Sequence, residues 1–183
     1  MKIVLASASP RRKELMHFIT DDFEIRISNA AEQADFSLPA GEIPLHLAQQ
    51  KADAVFTGAK DEIIVAADTV VEISGKILGK PHSEAEAREM LRLLSGKTHR
   101  VHTGVCIKSA EKQTAFSECS EVLFYELSEQ EISAYIATKE PFDKAGAYGI
   151  QGRGALLVKK INGDFYNVMG LPVARLSREL KKF

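Results

Sequence analysis

The sequence predicts an α/β protein with a mixed β-sheet and flanking helices. First, short apolar runs that are typical of buried strands alternate with segments of helical periodicity. Second, residues 101–107 and 114–127 have the pattern of an antiparallel hairpin, so the sheet is not purely parallel. Third, 183 residues with an apolar fraction of 45% suffice for one domain, or for two small lobes that share a cleft.

The chain begins with a predicted strand that is followed at once by a helix. Residues 3–6 form a continuous apolar run, as in strands that are buried on both faces. Ser9 is a suitable N-cap, and Pro10 suits the first helical position because no backbone N–H is needed there. The pattern therefore predicts a helix from Pro10 to about residue 19.

A long polar segment and a strand pair are predicted next. Residues 29–44 are polar and contain proline, which predicts a loop, and a second helix is expected near 45–56. Residues 63–73 predict a buried strand with one interruption at Asp68-Thr69. A turn then leads to a short returning strand over 76–78.

The second half of the chain contains two capping boxes and a glycine-rich segment. The boxes at 83–86 and 128–131 each predict the start of a helix. The segment 145–154 is rich in glycine and is followed by a predicted strand over 155–161. Pro172 suits the start of the closing helix.

Composition excludes several classes of protein. Lys and Arg number 24 against 25 Asp and Glu, a formal charge of −1 that argues against coating nucleic acid polymers or anionic membranes. No run approaches the ~18 apolar residues of a membrane span. Cys106 and Cys119 lack the spacing of a zinc site, although they flank the hairpin and could face each other across it. We expect a soluble cytoplasmic protein with both cysteines reduced.

Arg11 and Arg12 lie where the first turn of a helix normally favours acidic residues. One interpretation is a solvated basic turn. The other is an anion site in which the hydroxyls of Ser7 and Ser9, the helix N–H groups and the two guanidinium groups converge on phosphate oxygens. The residues alone leave both interpretations open.

Asp68 is one acid among apolar neighbours. A carboxylate in such surroundings must be paired, hydrogen-bonded or bound to a cation, because burying it bare is unfavourable by several kcal/mol. It could cap a bend at the end of a strand. It could instead serve as a metal ligand or a general base, and we favour a functional role.

Two lysines and a glutamine are weaker candidates. Pro81 holds Lys80 in extended backbone, as a phosphate contact would need, although an exposed lysine such as Lys80 or Lys51 is more often simply surface. Gln151 lies among closely spaced glycines, which usually indicate turns. Its amide offers a donor beside an acceptor, which complements the O4/N3 edge of uracil or thymine.

Taken together, six segments resemble the Maf family of nucleoside triphosphate pyrophosphatases, also called septum formation inhibitor-like proteins. They occur in the family's order from near the first residue to near the last. The segments are LASASPRR at 5–12, AADTVV at 66–71, GKP at 79–81, SGK at 95–97, AYGIQG at 147–152 and NVMGLP at 167–172.

The resemblance implies an elongated Maf/ITPase-like architecture, with residues 1–183 as a single domain whose two lobes surround a central cleft. It also implies a cytoplasmic hydrolase, dependent on Mg²⁺ or Mn²⁺, that cuts a nucleoside triphosphate into a nucleoside monophosphate and pyrophosphate. Family members are often dimeric, so a homodimer is an expected assembly.

The resemblance also assigns roles to residues. Asp68 falls on the family's proton acceptor, and Glu32 lies where the family tends to place an acid that would hold the metal together with Asp68. Arg11, Thr69 and Gln151 match the subgroup that acts on dTTP and UTP. The phosphate-contact positions, including Ser7 from the anion-site interpretation, are Ser7, Ser9, Arg12, Lys51 and Lys80.

Two other functions remain open at this point. A broad house-cleaning pyrophosphatase would act on non-standard nucleotides, including modified pyrimidine triphosphates. A non-enzymatic regulator of cell division and septum formation would act through contacts with other macromolecules.

Overall fold

The computed structural model describes residues 1–27 and 33–183. Within these residues seven strands form one mixed sheet and six α-helices lie against it, which confirms the predicted class. The strands are β1 Lys2–Leu5, β2 Phe23–Ile25, β3 Glu62–Ile73, β4 Lys76–Leu78, β5 Thr98–Lys108, β6 Gln113–Phe124 and β7 Val158–Asn162. The helices are α1 Pro10–Met16, α2 Ile43–Val55, α3 Glu84–Leu94, α4 Glu129–Ala137, α5 Phe165–Met169 and α6 Val173–Leu180.

The order of the strands leaves a gap at one edge of β3. The sheet runs β2-β1-β3-β5-β6-β7, with β1 parallel to β2 and β3 and the remaining pairs antiparallel. β5 covers one edge of β3, so β1 and β4 share the other: β1 pairs with residues 62–65 and β4 with residues 71–73. Among the described residues, no strand covers 66–70 on that edge.

Helix α2 packs directly on one face of the sheet. Its small side chains, Ala48 and Ala52, lie against Ala66 of β3 and Cys106 of β5. A Cβ atom on Gly104 would lie 2.2 Å from the backbone nitrogen of Leu45, so only glycine allows the start of α2 to approach so closely. This contact fixes the helix over the gap in β3.

Two apolar clusters cover the other parts of the sheet. One contains the inward faces of α3 and α4, which pack with the C-terminal end of β3 and with Phe124 and Tyr148. The other joins α1 and α6 to the N-terminal half of β3 and to the end of the β5–β6 hairpin that is nearest its turn. No helix within residues 1–27 and 33–183 is long and apolar enough to cross a membrane.

Several predicted boundaries were wrong for identifiable reasons. α1 ends at Met16 rather than near residue 19, because the chain continues in a turn with i→i−3 hydrogen bonds. The predicted strand over 155–161 begins only at Val158, since residues 152–157 form a 3₁₀ turn. α5 was not predicted at all; it has five residues and is capped by Asp164.

Predictions about the central strands also needed correction. β3 continues without a break through Asp68 and Thr69. β5 is buried on both faces over residues 101–107 instead of one, because α2 covers its second face. Cys106 lies opposite Ala115 rather than Cys119, and both cysteines are free thiols.

Candidate active site

A cleft of about 610 Å³ opens beside the uncovered edge of β3. Every sequence-predicted site residue that the structure describes lines this cleft, and Glu32 lies outside the described residues. The segments that converge here are the β1–α1 turn, α2, the middle of β3, the end of β4, and the turns over 143–151. The lining candidates are Ser7, Ser9, Arg11, Arg12, Lys51, Asp68, Thr69, Lys80 and Gln151.

The turn between β1 and α1 is ordered by its two serines. The Ser9 hydroxyl accepts from the backbone N–H of Arg12 at 3.5 Å and so caps α1, as predicted. The backbone N–H of Ser9 donates to the Ser7 hydroxyl at 3.2 Å. The N-terminus of a helix carries about half a positive charge, whereas each guanidinium carries a full one, so the two arginines supply most of the positive charge of this turn.

Arg12 is held in place by neighbours from distant parts of the chain. Its Nε donates to the carbonyl oxygen of Gly170 at 2.9 Å, and its guanidinium also donates to the hydroxyls of Thr69 at 3.1 Å and Ser7 at 3.5 Å. Gly170 has φ 109°, a left-handed conformation that disfavours any other residue. The guanidinium therefore has a defined position at the cleft.

Arg11 contacts a different segment of the cleft lining. Its guanidinium donates to Asp143 at 3.2 Å, and the same carboxylate accepts from Lys144. Partial burial acts to raise the pKa of Asp143. The hydrogen bond from Lys144 and the charge of Arg11 together have a larger effect in the opposite direction, so the pKa lies below its usual range. The two adjacent arginines thus contact different segments of the cleft lining: Arg12 contacts β3 and the end of α5, and Arg11 contacts the turn at Asp143.

Asp68 and Lys51 form an ion pair at the uncovered stretch of β3. Lys51 Nζ donates to Asp68 Oδ1 at 2.7 Å, and the side chains are only 14% and 20% exposed, respectively. Asp68 lies in the middle of β3, opposite Gly104, and not at the end of a strand, where the capping interpretation would place it. It reaches the cleft because β1 has already ended beside it. Among the described residues, hydrogen bonds engage only Oδ1, so Oδ2 remains for a ligand or a proton.

Gln151 lines the cleft in a turn whose backbone is held by the side chains of Glu140 and Tyr135. The carboxylate of Glu140 accepts from the backbone N–H groups of Arg153 at 3.1 Å and Gly154 at 3.3 Å. The hydroxyl of Tyr135 accepts from the N–H of Gly149 at 3.2 Å, and burial raises its pKa to about 12, which keeps it protonated. Lys80 lies at the rim and is exposed.

Sequence reasoning missed two buried polar residues behind the cleft. The hydroxyls of Thr69 and Thr103 lie 3.0 Å apart, and the Thr103 hydroxyl donates to the carbonyl oxygen of Asn167 at 3.0 Å. Both Thr103 and Asn167 are fully buried. The NVMGLP segment could have pointed to Asn167, whereas Thr103 shows only the alternation of a strand.

The residues of the cleft fit a hard divalent cation. Within residues 1–27 and 33–183, no group of three or more His, Cys, Asp or Glu side chains could enclose a metal ion. However, Mg²⁺ usually retains several waters and binds one or two carboxylates together with substrate phosphates. Asp68, with one oxygen engaged by Lys51, suits that arrangement.

The fold is of the α/β class and is similar to that of Ham1 proteins. The chain is similar to the Staphylococcus aureus Ham1 protein, with a TM-score of 0.56 and 14% identity over 100% of this chain and 99% of the other. It is also similar to a HAM1 protein from Coxiella burnetii, with a TM-score of 0.50 and 18% identity over 100% of both chains. At these identities the likeness concerns the fold alone.

Sequence comparison identifies the family. Residues 2–183 match the family described as Maf-like protein, and the chain belongs to the Maf family. A dTTP/UTP pyrophosphatase of Bacillus cereus is 54% identical over 182 residues, which cover 100% of this chain and 95% of that protein. A dTTP/UTP pyrophosphatase of Bacillus mycoides has the same identity and coverage.

Proposed function

We propose that this chain is a pyrophosphatase that hydrolyses dTTP and UTP to the nucleoside monophosphate and pyrophosphate. The observation that carries the proposal is the convergence of Asp68 with Arg12, Lys51, Lys80 and Gln151 on one cleft. Relatives that are 54% identical over their nearly full length and are named dTTP/UTP pyrophosphatases support it.

In the proposed reaction, the cations hold the triphosphate and Asp68 activates water. Arg12, Lys80 and the hydroxyls of the β1–α1 turn bind phosphate oxygens. Lys51, which is paired with Asp68, also binds the phosphates. Water attacks the α phosphorus while Asp68 accepts its proton. The bond from the α phosphorus to the bridging oxygen breaks, and the cations stabilise the negative charge on the departing pyrophosphate.

We assign the divalent cation to Asp68 together with Glu32. When bound, Mg²⁺ or Mn²⁺ would neutralise charge on the phosphates. The base is assigned to the wall that carries Gln151, whose amide complements the O4/N3 edge of uracil or thymine. Arg11 and Thr69 complete the proposed specificity residues.

The remaining proposals concern the organisation of the protein. We assign residues 1–183 to one pyrophosphatase domain with the cleft between two lobes, and we place the protein in the cytoplasm. A homodimer is the proposed assembly.

A release assay for pyrophosphate on a panel of nucleotides tests the function. With Mg²⁺ or Mn²⁺ present, dTTP and UTP should have the highest kcat/KM among the canonical triphosphates, and the products should be the monophosphate and pyrophosphate. A house-cleaning enzyme would hydrolyse inosine or methylated triphosphates faster than dTTP and UTP. A regulator without enzymatic activity would leave every nucleotide intact, and either outcome would overturn the proposal.

A further inference from the structure

A chain of hydrogen bonds runs from the cleft into the core of the sheet. Thr69 and Thr103 are paired neighbours on β3 and β5, with hydroxyl oxygens 3.0 Å apart. Arg12 donates to the Thr69 hydroxyl at 3.1 Å, and the Thr103 hydroxyl donates to the carbonyl of Asn167 at 3.0 Å. Thr103 has no solvent exposure, so the contact with Asn167 is shielded from water.

The direction of every bond in this chain follows from the number of hydrogens. A hydroxyl carries one hydrogen, a guanidinium only donates, and a carbonyl oxygen only accepts. Because Thr103 gives its hydrogen to Asn167, it must accept from Thr69. Thr69 therefore gives its own hydrogen to Thr103, and its oxygen accepts from Arg12. Toward the cleft, the Thr69 hydroxyl can accept a hydrogen bond but cannot donate one.

The far end of the chain is anchored by α5. The side-chain amide of Asn167 donates to the carbonyl of Val101 at 3.0 Å and to the hydroxyl of Ser120 at 2.9 Å. The same helix ends at Gly170, whose carbonyl oxygen accepts from Arg12 Nε at 2.9 Å. The NVMGLP segment, to which no role was assigned, thus fixes both Arg12 and the end of the hydroxyl chain.

We propose that Thr103 is a positioning residue that holds the Thr69 hydroxyl as an acceptor for a hydroxyl group on the sugar of the substrate. Phosphate oxygens lack hydrogens at neutral pH, so an acceptor does not suit them, and Gln151 already matches the N3–H of the base. The 2′-hydroxyl of UTP is absent from dTTP, so the 3′-hydroxyl is the remaining donor that both substrates share. This inference rests on the proposed function and adds the sugar group that the site reads.

The test compares dTTP with its 3′-deoxy analogue, 2′,3′-dideoxy-TTP. The wild-type enzyme should prefer dTTP in kcat/KM, and Thr103→Val should reduce that preference about two- to tenfold, the value of one hydrogen bond. The loss should fall on dTTP, mainly through KM, while the rate with the analogue stays nearly constant. Thr103→Ser, which retains the hydroxyl, should keep the wild-type ratio.

Ser120→Ala provides a matched control. Ser120 is buried, and its hydroxyl accepts from the side-chain amide of Asn167. The hydrogen bonds that lead to Thr69 run instead through the backbone carbonyl of Asn167 and Thr103. If Thr103 were merely structural, both substitutions would lower the melting temperature and neither would change the substrate ratio. Thr103→Ala, with a smaller side chain, and Thr69→Val test the same ratio should Thr103→Val fail to fold.

The outcomes separate the inference from the proposed function. An unchanged ratio in folded Thr103→Val or Thr103→Ala, or in Thr69→Val, would overturn the role of Thr103 while leaving the pyrophosphatase intact. Equal use of dTTP and the analogue by the wild type would do the same. Failure of the wild type to hydrolyse dTTP at all would overturn the proposed function and, with it, this inference.

Discussion

Two carboxylates on β3, Glu62 and Asp68, lie six residues apart, and each forms an ion pair with a basic side chain. The two ion pairs have different geometries. Glu62, at the start of the strand, is held by both guanidinium ends of Arg26, at 2.7 and 3.1 Å, and by the hydroxyl of Thr57 at 2.9 Å. Among the described residues, Asp68 in the middle of the strand accepts one hydrogen bond, of 2.7 Å, from Lys51.

The difference separates a structural pair from a reactive one. Both oxygens of Glu62 are engaged, and hydrogen bonds from Arg26 lower its pKa to about 2, so it is a stable anion away from the cleft. Asp68 lines the cleft, and the described contacts engage one oxygen only. A carboxylate that accepts a proton from water needs an oxygen that is not already hydrogen-bonded. A carboxylate that stabilises the fold contributes most when both of its oxygens are hydrogen-bonded.

The largest effect is expected for Asp68→Asn. Loss of a general base lowers turnover by about 10²–10⁴-fold, while the free energy of unfolding should change by about 1 kcal/mol because asparagine keeps an oxygen that can accept from Lys51. Release of pyrophosphate and thermal melting measure the two effects. Turnover near the wild-type rate would remove Asp68 from the chemistry.

Glu62→Gln should show the opposite pattern. Glutamine replaces one of the two acceptor oxygens by an NH₂ group and leaves the half-buried Arg26 without its anion, which should lower the free energy of unfolding by about 1.5–3 kcal/mol, with kcat of the folded enzyme unchanged. A drop in kcat comparable to that of Asp68→Asn would erase the distinction between the two pairs.

The same pair predicts a pH dependence of stability. Because the pKa of Glu62 falls from 4.5 to about 2 on folding, its contribution is fully present above pH 4.5 and is lost as the pH falls toward 2. The difference in unfolding free energy between the wild type and Glu62→Gln should therefore shrink across that range in denaturant titrations. A difference that is constant with pH would contradict the assigned role.

The sequence predicted the elements whose signals are local. The N-cap Ser9 and the capping box at 128–131 are present as predicted, because both depend on side chains within one helical turn. In the box at 83–86, Ser83 caps the helix but Glu86 accepts from the N–H of His82 instead. β5 was misjudged because burial of its second face depends on α2, which is distant in sequence.

The sequence identified candidate residues that line the cleft but few of the contacts that hold them in place. Arg12 and Asp68 stood out because each is charged where a helix start or an apolar run disfavours that charge. Gly170, which accepts from Arg12, and Thr103, which is bonded to Thr69, could not be identified, since they meet the site only through the position of α5 and the register of β3 with β5. The roles of the cleft residues in the reaction remain predictions.

Hydrolysis of dTTP in water labelled with heavy oxygen tests the central claim most directly. If the cleft activates water against the α phosphorus, mass spectrometry will find one labelled oxygen in the nucleoside monophosphate and none in pyrophosphate. Label in the pyrophosphate, or release of orthophosphate in place of pyrophosphate, would contradict the account.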